Sequence, residues 1–126
     1  MKLYTNYFAY MRHVIDVDNV TFVSIARKTP DNVSCLSYDK LAPSWDILKE
    51  YKETGDIGHY TKRYKEEILD KLNVHEVMEE LQLFNRDGEI HLLCYETPDK
   101  FCHRSLVRQW LKDAGYFVEE YKGRSV

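Results

Sequence analysis

The sequence predicts a single α/β domain, built on a small, mainly parallel sheet with helices on its faces. The chain has 126 residues, the size of one ordinary domain, so residues 1–126 are treated as one unit. Short β-branched or apolar runs alternate with longer segments whose apolar residues recur every three to four positions. Strands separated by helices are usually joined in parallel, and helices then cover both faces of the sheet.

The first half of the chain predicts two strands, a loop and a helix. Lys2–Tyr7 and Val20–Ala26 are rich in aromatic or β-branched residues, which favour strands. The stretch Arg27–Pro43 contains two prolines with polar residues between them, so we predict a long loop, a type of segment that is often functional. Ser44 is expected to cap a helix that ends at Gly55.

The second half predicts two further helices, a strong strand, a fourth helix and a last strand. Apolar residues at fourfold spacing predict a helix from Gly58 to Leu72, and Asn73 is expected to cap the next one. The strongest strand of the chain is Glu89–Glu96. A helix within Thr97–Gly115 follows, with the threonine as its cap and the glycine as its stop, and Tyr116–Tyr121 predicts the last strand.

Charge and composition limit the classes of function. The net charge is −3 and the two signs are well mixed, so any recognition of phosphate or nucleic acid has to be local. The first residues do not resemble a signal peptide, and no apolar stretch reaches the roughly 20 residues of a membrane span. We therefore expect a cytoplasmic protein without membrane contact, whose three cysteines are reduced.

Reactive side chains collect where the strand Glu89–Glu96 gives way to the next helix. In open α/β sheets, ligands bind beyond the carboxyl ends of the strands. Alternation along a strand places Cys94 and Glu96 on one face, and backbone N–H groups at a helix start favour anions and thiolates. The sequence thus predicts a reaction site with four candidate catalytic residues: Cys102, Glu96, His103 and Cys94. Arg104 is the first candidate to hold a phosphate, although each cysteine taken alone is also typical of a core residue.

Two known kinds of site share part of this pattern. Cys102 and Arg108 have the spacing of the phosphatase and rhodanese-like anion loop, but no glycine lies between them and the cysteine does not directly follow a strand. A metal would need Cys94, Cys102 and His103, with Glu96 or Cys35 as a fourth ligand. Paired Cys-x-x-Cys knuckles are absent, and adjacent ligands at 102 and 103 would require a contorted geometry. We therefore predict no metal and name no cofactor.

Several segments together resemble a known family. Leu92-Leu93-Cys94-Tyr95-Glu96-Thr97-Pro98, followed by Phe101-Cys102-His103-Arg104, resembles the signature of the family catalogued as domain of unknown function 488. Ser24-Ile25-Ala26-Arg27 is similar to that family's second strand and its terminal arginine, and segments 41–45, 51–56 and 60–64 resemble a compact branch of it. The resemblance covers nearly the whole chain. It departs at Ala26, where the family often has an aspartate, so Glu96 or Asp56 would have to supply any acid needed there.

The resemblance implies a Rossmann-like three-layer α/β domain with a role connected to nucleotides or nucleic acids. Its polar signature falls on Arg27, Cys94, Glu96, Cys102, His103 and Arg104. Our leading hypothesis is an enzyme that acts on a nucleotide or a nucleic-acid base, in which Arg27 and Arg104 hold an anionic group.

Two other classes of function remain open at this point. The chain would be a binding protein that captures a nucleotide-like ligand if Tyr51, Tyr60 and Tyr64 form an aromatic cage. It would be a redox or interaction module if Cys94 and Cys102 come within about 7 Å at their Cα atoms. A homodimer is also open, because Trp45 or Tyr60 would cover a partner if either is exposed. The sequence names neither the substrate nor the reaction.

Overall fold

The computed structural model of the protein describes residues 1–14 and 17–123. In this part of the chain there are five strands, namely β1 (Lys2–Tyr7), β2 (Val20–Ser24), β3 (Leu36–Ser37), β4 (Glu89–Cys94) and β5 (Val118–Glu120). The α-helices described are α1 (Trp45–Thr54), α2 (Ile57–Glu67), α3 (Val74–Gln82) and α4 (Arg104–Asp113). The predicted α/β class, with a parallel sheet flanked by helices, is confirmed.

The five strands form one sheet in the order β3-β2-β4-β1-β5, and every pair in it is parallel. Strand β4 lies at the centre, where Leu92 is in register with Val23 on one side and Thr5 on the other. All six of its residues are buried, as a central parallel strand requires. Two of these residues are polar: His91, whose Nδ1 lies 3.1 Å from the amide nitrogen of Asn6, and Glu89, whose carboxylate lies 3.3 Å from His91 Nε2.

The two faces of the sheet are covered differently. Buried residues of all four described α-helices join one large core with Ile90 and Leu92 of β4. The opposite face carries a smaller core, in which Phe8 and Met11 of a 3-10 segment (Phe8–His13) pack against Leu93. The connections from β1 to β2 and from β2 to β3 run toward the β3 edge of the sheet, whereas those from β3 to β4 and from β4 to β5 run toward the β5 edge. Right-handed crossovers therefore place the two sets on opposite faces.

The helix caps follow the local sequence closely. The side chain of Ser44 accepts a hydrogen bond from the Ile47 backbone N–H, and Gly55 ends α1 with a positive φ of 67°. Asn73 accepts bonds from two backbone N–H groups at the start of α3. The described residues contain no helix whose length and apolar character would let it cross a membrane.

Element ends differ from the prediction where tertiary contacts decide them. The helix predicted to run from Gly58 to Leu72 ends at Glu67 and is followed by a 3-10 turn, Leu69–Lys71. The predicted loop between Arg27 and Pro43 contains the short edge strand β3, which pairs with β2, and a 3-10 turn, Asp39–Leu41.

The start of α4 is the correction that matters most for the site. Thr97 was predicted to cap this helix, but the helix begins at Arg104 with His103 as its N-cap residue. The Thr97 hydroxyl instead donates to the Asp99 carboxylate, and the Thr97 carbonyl accepts from the Lys100 N–H at 3.0 Å. Because the hydroxyl and the carbonyl of Thr97 are both used within this turn, they are not available to cap a helix. Residues 97–103 therefore form a loop that returns over the end of β4.

Candidate functional site

A cavity of about 530 Å³ lies beyond the carboxyl end of β4. Its walls come from the segment after β2, from α1 and α2, and from the loop that leads into α4. The residues that line it are Ala26, Arg27, Lys28, Pro43, Trp45, Leu48, Tyr51, Lys52, Tyr60, Cys94, Tyr95, Glu96, Phe101, Cys102 and His103. The cavity has the position expected for a ligand site in an open α/β sheet and a volume in the range of small-molecule pockets.

Aromatic rings form one wall of the cavity. The Phe101 ring centre lies 5.1 Å from that of Tyr60 and 5.7 Å from that of Tyr51, in edge-to-face contacts. Trp45 is 47% exposed, so part of its indole is accessible at the edge of the cavity. The guanidinium carbon of Arg27 and the ammonium nitrogen of Lys52 each lie 5.3 Å from the centre of that indole. The wall therefore combines flat apolar surface with two cations at its rim.

Tyr60 and Tyr64, both predicted ligand contacts, have different positions. Tyr60 lines the cavity, where burial and then the neighbouring Tyr51 raise the pKa of its phenol, so it stays neutral. It is 4% exposed, so it does not offer a surface for a partner chain. Tyr64 is fully buried behind it, does not line the cavity, and donates its hydroxyl to the Leu41 carbonyl at 2.5 Å. We correct its role from ligand contact to support for the site.

Cys94 and Cys102 meet at the floor of the cavity, although eight positions separate them in sequence. Their sulfur atoms lie at disulfide-bonding distance. Their Cα atoms are 7.1 Å apart, which is at the outer limit of the span that a disulfide bridges. Cys94 is 1% exposed at the end of β4, and Cys102 is half-buried in the loop before α4. Cys35, the third cysteine, packs beside the smaller core on the other face of the sheet.

His103 is fixed in one tautomer by its backbone contact. Its Nε2 lies 2.7 Å from the carbonyl oxygen of Ile25, and a carbonyl only accepts, so Nε2 carries the proton. Burial lowers the pKa of His103 to about 4; the hydrogen bond with the Ile25 carbonyl opposes this lowering in part, and the charge of Arg104 adds a smaller lowering. The imidazole is therefore neutral at pH 7 and keeps a lone pair on Nδ1. That nitrogen lies 3.7 Å from the sulfur of Cys102.

Arg104 has a different role from the predicted one. It is 3% exposed, and its Nε and Nη2 donate to the Glu120 carboxylate at 3.0 and 2.8 Å. Its Nη1 donates to the Cys94 sulfur at 3.1 Å and to the Glu96 carbonyl at 2.6 Å. Because the guanidinium is engaged on all three nitrogens, we correct Arg104 from a phosphate contact to a positioning residue, although it also lines the charged groove described below.

Glu96 and Arg27 lie at the rim of the cavity. Both side chains are exposed, and both residues line the opening. Glu96 was predicted to share a strand face with Cys94, but β4 ends at Cys94, so strand alternation does not extend to it. Its backbone carbonyl accepts a hydrogen bond from Arg104 at 2.6 Å.

A second, more polar groove lies on the other side of Cys102. Its volume is about 440 Å³, and its lining includes Lys100, Arg108, Lys112 and Lys122 together with Glu119 and Glu120. Arg108 is already engaged there, since its Nη1 donates to the Thr5 hydroxyl at 2.7 Å. Cys102 lines both hollows, so its sulfur is close to an aromatic cavity and to a charged groove.

Three donors at this junction are close enough to share a metal ion. The sulfur atoms of Cys94 and Cys102 and a ring nitrogen of His103 lie within 4.8 Å of one another. All three residues also line the aromatic cavity. The three donor atoms lie together although residues 102 and 103 are adjacent in the chain, and two of the donors are joined in the Cys94–Cys102 disulfide.

Sequence reasoning missed several residues of this site. Glu120, in the last strand, accepts hydrogen bonds from Arg104, and nothing in the sequence around it indicated this role. The carbonyl of Ile25, just after β2, is the hydrogen-bond partner of His103. Trp45, read as a helix residue or a dimer contact, is the open aromatic face of the cavity. Its place directly after the Ser44 cap, at the end of a long loop, was the available signal.

A comparison with protein families gives one match. The family model DUF488-N3a, described as the active DUF488-N3 subclade, matches residues 12–115. The matched region includes the cavity residues from Ala26 to His103 and all three donors of the cluster. No curated protein and no solved structure matches the chain.

Proposed function

The chain belongs to the domain of unknown function 488 family, and from this premise we propose that it is an enzyme acting on a nucleotide or a nucleic-acid base. The observation that carries the proposal is that an aromatic cavity with a cationic rim ends at the Cys102–His103 pair. The aromatic wall and cationic rim of the cavity would bind a planar, anionic substrate, and the Cys102–His103 pair would supply the reactive groups.

The substrate's ring would lie against the exposed part of the Trp45 indole. Stacking on an aromatic side chain accepts any base, because every base has a π face. Arg27 and Lys52 already flank this indole, and Lys28 lies at the same rim, so a phosphate attached to the ring would meet positive charge there. Arg104 stays behind the floor of the cavity and does not contact the anion.

The reaction centre would use the thiol of Cys102 with the imidazole of His103. In the reduced protein, the neutral Nδ1 accepts the thiol proton, and the Ile25 carbonyl holds the ring in place as it gains charge. Cys94 with its Arg104 partner lies beside this pair, and Glu96 at the rim exchanges the proton with solvent. We assign the protein to the cytoplasm, where reducing conditions keep both thiols available.

Turnover of a nucleotide and oligonucleotide panel tests the proposal. The wild type should convert at least one member, Cys102→Ala should abolish conversion, and Cys35→Ala should retain it, because Cys35 packs on the other face of the sheet. Equal turnover by the wild type and Cys102→Ala would remove the thiol from the reaction.

A binding protein without chemistry is the second candidate function. The disulfide between Cys94 and Cys102 favours it, because cysteines joined in a disulfide have no free thiol to attack a ligand. The cavity would then capture the nucleotide unchanged. Denaturing the loaded protein and identifying what is released separates the two functions: unmodified ligand supports capture, and a product supports the enzyme.

A further inference from the structure

We propose that Cys94, Cys102 and His103 form a binding site for one zinc-class divalent ion, with the fourth coordination position open to the aromatic cavity. The site stands on the geometry of these three residues alone. Its use in catalysis rests on the function proposed above.

The identity of the donors favours a borderline-soft ion. Two thiolates and one imidazole are a donor set that zinc takes in catalytic sites, where three protein ligands leave one position for water or substrate. Two thiolates balance the charge of a divalent ion, so the loaded cluster would add no net charge to a buried position.

The distance between the Cys102 and His103 donors agrees with tetrahedral coordination. Bond lengths of about 2.3 Å to sulfur and 2.0–2.1 Å to nitrogen place the ligand atoms of a tetrahedral ion about 3.5–3.8 Å apart. The Cys102 sulfur lies 3.7 Å from His103 Nδ1, inside that range. The two cysteines are joined in a disulfide, so they would reach this spacing only on reduction. A thiol reductant supplies two electrons, the sulfur atoms take up two protons and separate, and metal binding then releases both protons to solvent.

The surroundings of the cluster are those of a metal site. A histidine that binds a metal usually donates its other ring N–H to a carbonyl or carboxylate, and Nε2 of His103 donates to the Ile25 carbonyl at 2.7 Å. This contact leaves Nδ1 as the ligand atom and holds the ring against rotation. Arg104 supplies the matching outer partner on the other side, since its Nη1 donates to the Cys94 sulfur at 3.1 Å.

The direction of the open position follows from the cavity. All three donor residues line the same hollow, so an ion held between them faces it rather than the core. With the ion bound, Cys102 would be a ligand, so the thiol chemistry proposed above would belong to the metal-free, reduced protein.

Cobalt(II) and zinc binding to the reduced, full-length chain test the site without any substrate. We expect one Co²⁺ per chain, with thiolate-to-cobalt charge-transfer absorption, displaced stoichiometrically by Zn²⁺. Cys35→Ser, the matched control, should bind like the wild type. Cys94→Ser and Cys102→Ser should each weaken binding by more than about 100-fold, beyond the 10–100-fold cost of losing an outer partner. Oxidation should abolish binding, and a thiol reductant should restore it.

The proposal fails if the reduced wild type binds no stoichiometric cobalt or zinc, or if Cys102→Ser binds either ion as tightly as the wild type. Circular dichroism and urea unfolding establish that each variant is folded. Should Cys94→Ser unfold, His103→Gln tests the same site, because its amide can still donate to the Ile25 carbonyl while the Nδ1 ligand is lost. If chelator-treated, metal-free protein still turns over a substrate, zinc is not needed for the reaction and the proposed function is still supported. Stoichiometric metal binding without turnover of the panel would leave the site and contradict the function.

Discussion

Replacing Glu120 with glutamine should destabilise the protein strongly, because it leaves Arg104 as an unpaired buried cation. The side chains of Arg104 and Glu120 are 4% and 13% exposed. The carboxylate also accepts from the Thr5 hydroxyl at 2.7 Å and from Arg108 at 3.4 Å. The Glu120 carboxylate therefore accepts hydrogen bonds from side chains of β1 and α4 at the same time. In the glutamine variant, the amide NH₂ group would face these donors and could not accept from them.

The size of the effect follows from the burial of this pair. Removing one partner of a buried ion pair costs about 3–5 kcal/mol, and the partial exposure of Glu120 and Arg108 favours the lower end. With a urea slope of about 2 kcal/mol per molar for a domain of this size, a loss of about 3 kcal/mol lowers the unfolding midpoint by about 1.5 M.

Urea unfolding followed by circular dichroism measures this midpoint. Glu119→Gln is the matched control, since the neighbouring side chain is exposed and its loss should change stability by less than about 0.5 kcal/mol. If the two variants unfold at the same urea concentration, Glu120 does not stabilise Arg104 and our account of how the floor of the cavity is held is wrong.

Three further predictions concern the imidazole, the aromatic wall and a turn. The pKa of His103 is lowered to about 4, so between about pH 6.5 and 4 the unfolded chain binds a proton that the folded chain does not. The free energy of unfolding should therefore decrease by up to about 3 kcal/mol as the pH is lowered through this window. The His103→Asn variant should not show this decrease. Trp45→Ala should weaken binding of a nucleotide by about 5–150-fold, corresponding to about 1–3 kcal/mol of stacking, as measured by calorimetry. Gly88→Ala should destabilise the chain by about 1–3 kcal/mol in urea, because its Cβ would lie 2.2 Å from the backbone oxygen of Asn19.

Each of these three predictions has a control measurement or control variant. For the pH series, a wild-type curve parallel to that of His103→Asn would contradict a buried neutral imidazole. Trp110→Phe, in α4 and outside the cavity lining, should leave nucleotide affinity unchanged. Gly58→Ala meets only an ordinary contact of 3.5 Å with Asp56 and lies within α2, so it should not destabilise the fold; equal losses at Gly58 and Gly88 would refute the close approach.

Local sequence determined the secondary structure most reliably where a short-range signal exists. Strand β1 has the predicted limits, and Ser44 and Asn73 cap the helices that they were expected to cap, because a capping side chain bonds to N–H groups two or three residues away. The cluster of Cys94, Cys102, His103 and Arg104 could be predicted as a unit because these residues follow a central strand. Thr97 was misread because its hydroxyl had a nearer partner in Asp99.

What the sequence determined by itself was therefore the α/β class, the family and the short list of reactive residues. Only the tertiary structure decided what each of them does. It brings the Ile25 carbonyl to His103 across 78 positions and Glu120 to Arg104 from another strand, which turns a predicted phosphate contact into a buried positioning residue. Such pairings depend on the strand order β3-β2-β4-β1-β5, since neighbours in a parallel sheet are far apart in the chain and no short-range pattern encodes which side chains will meet.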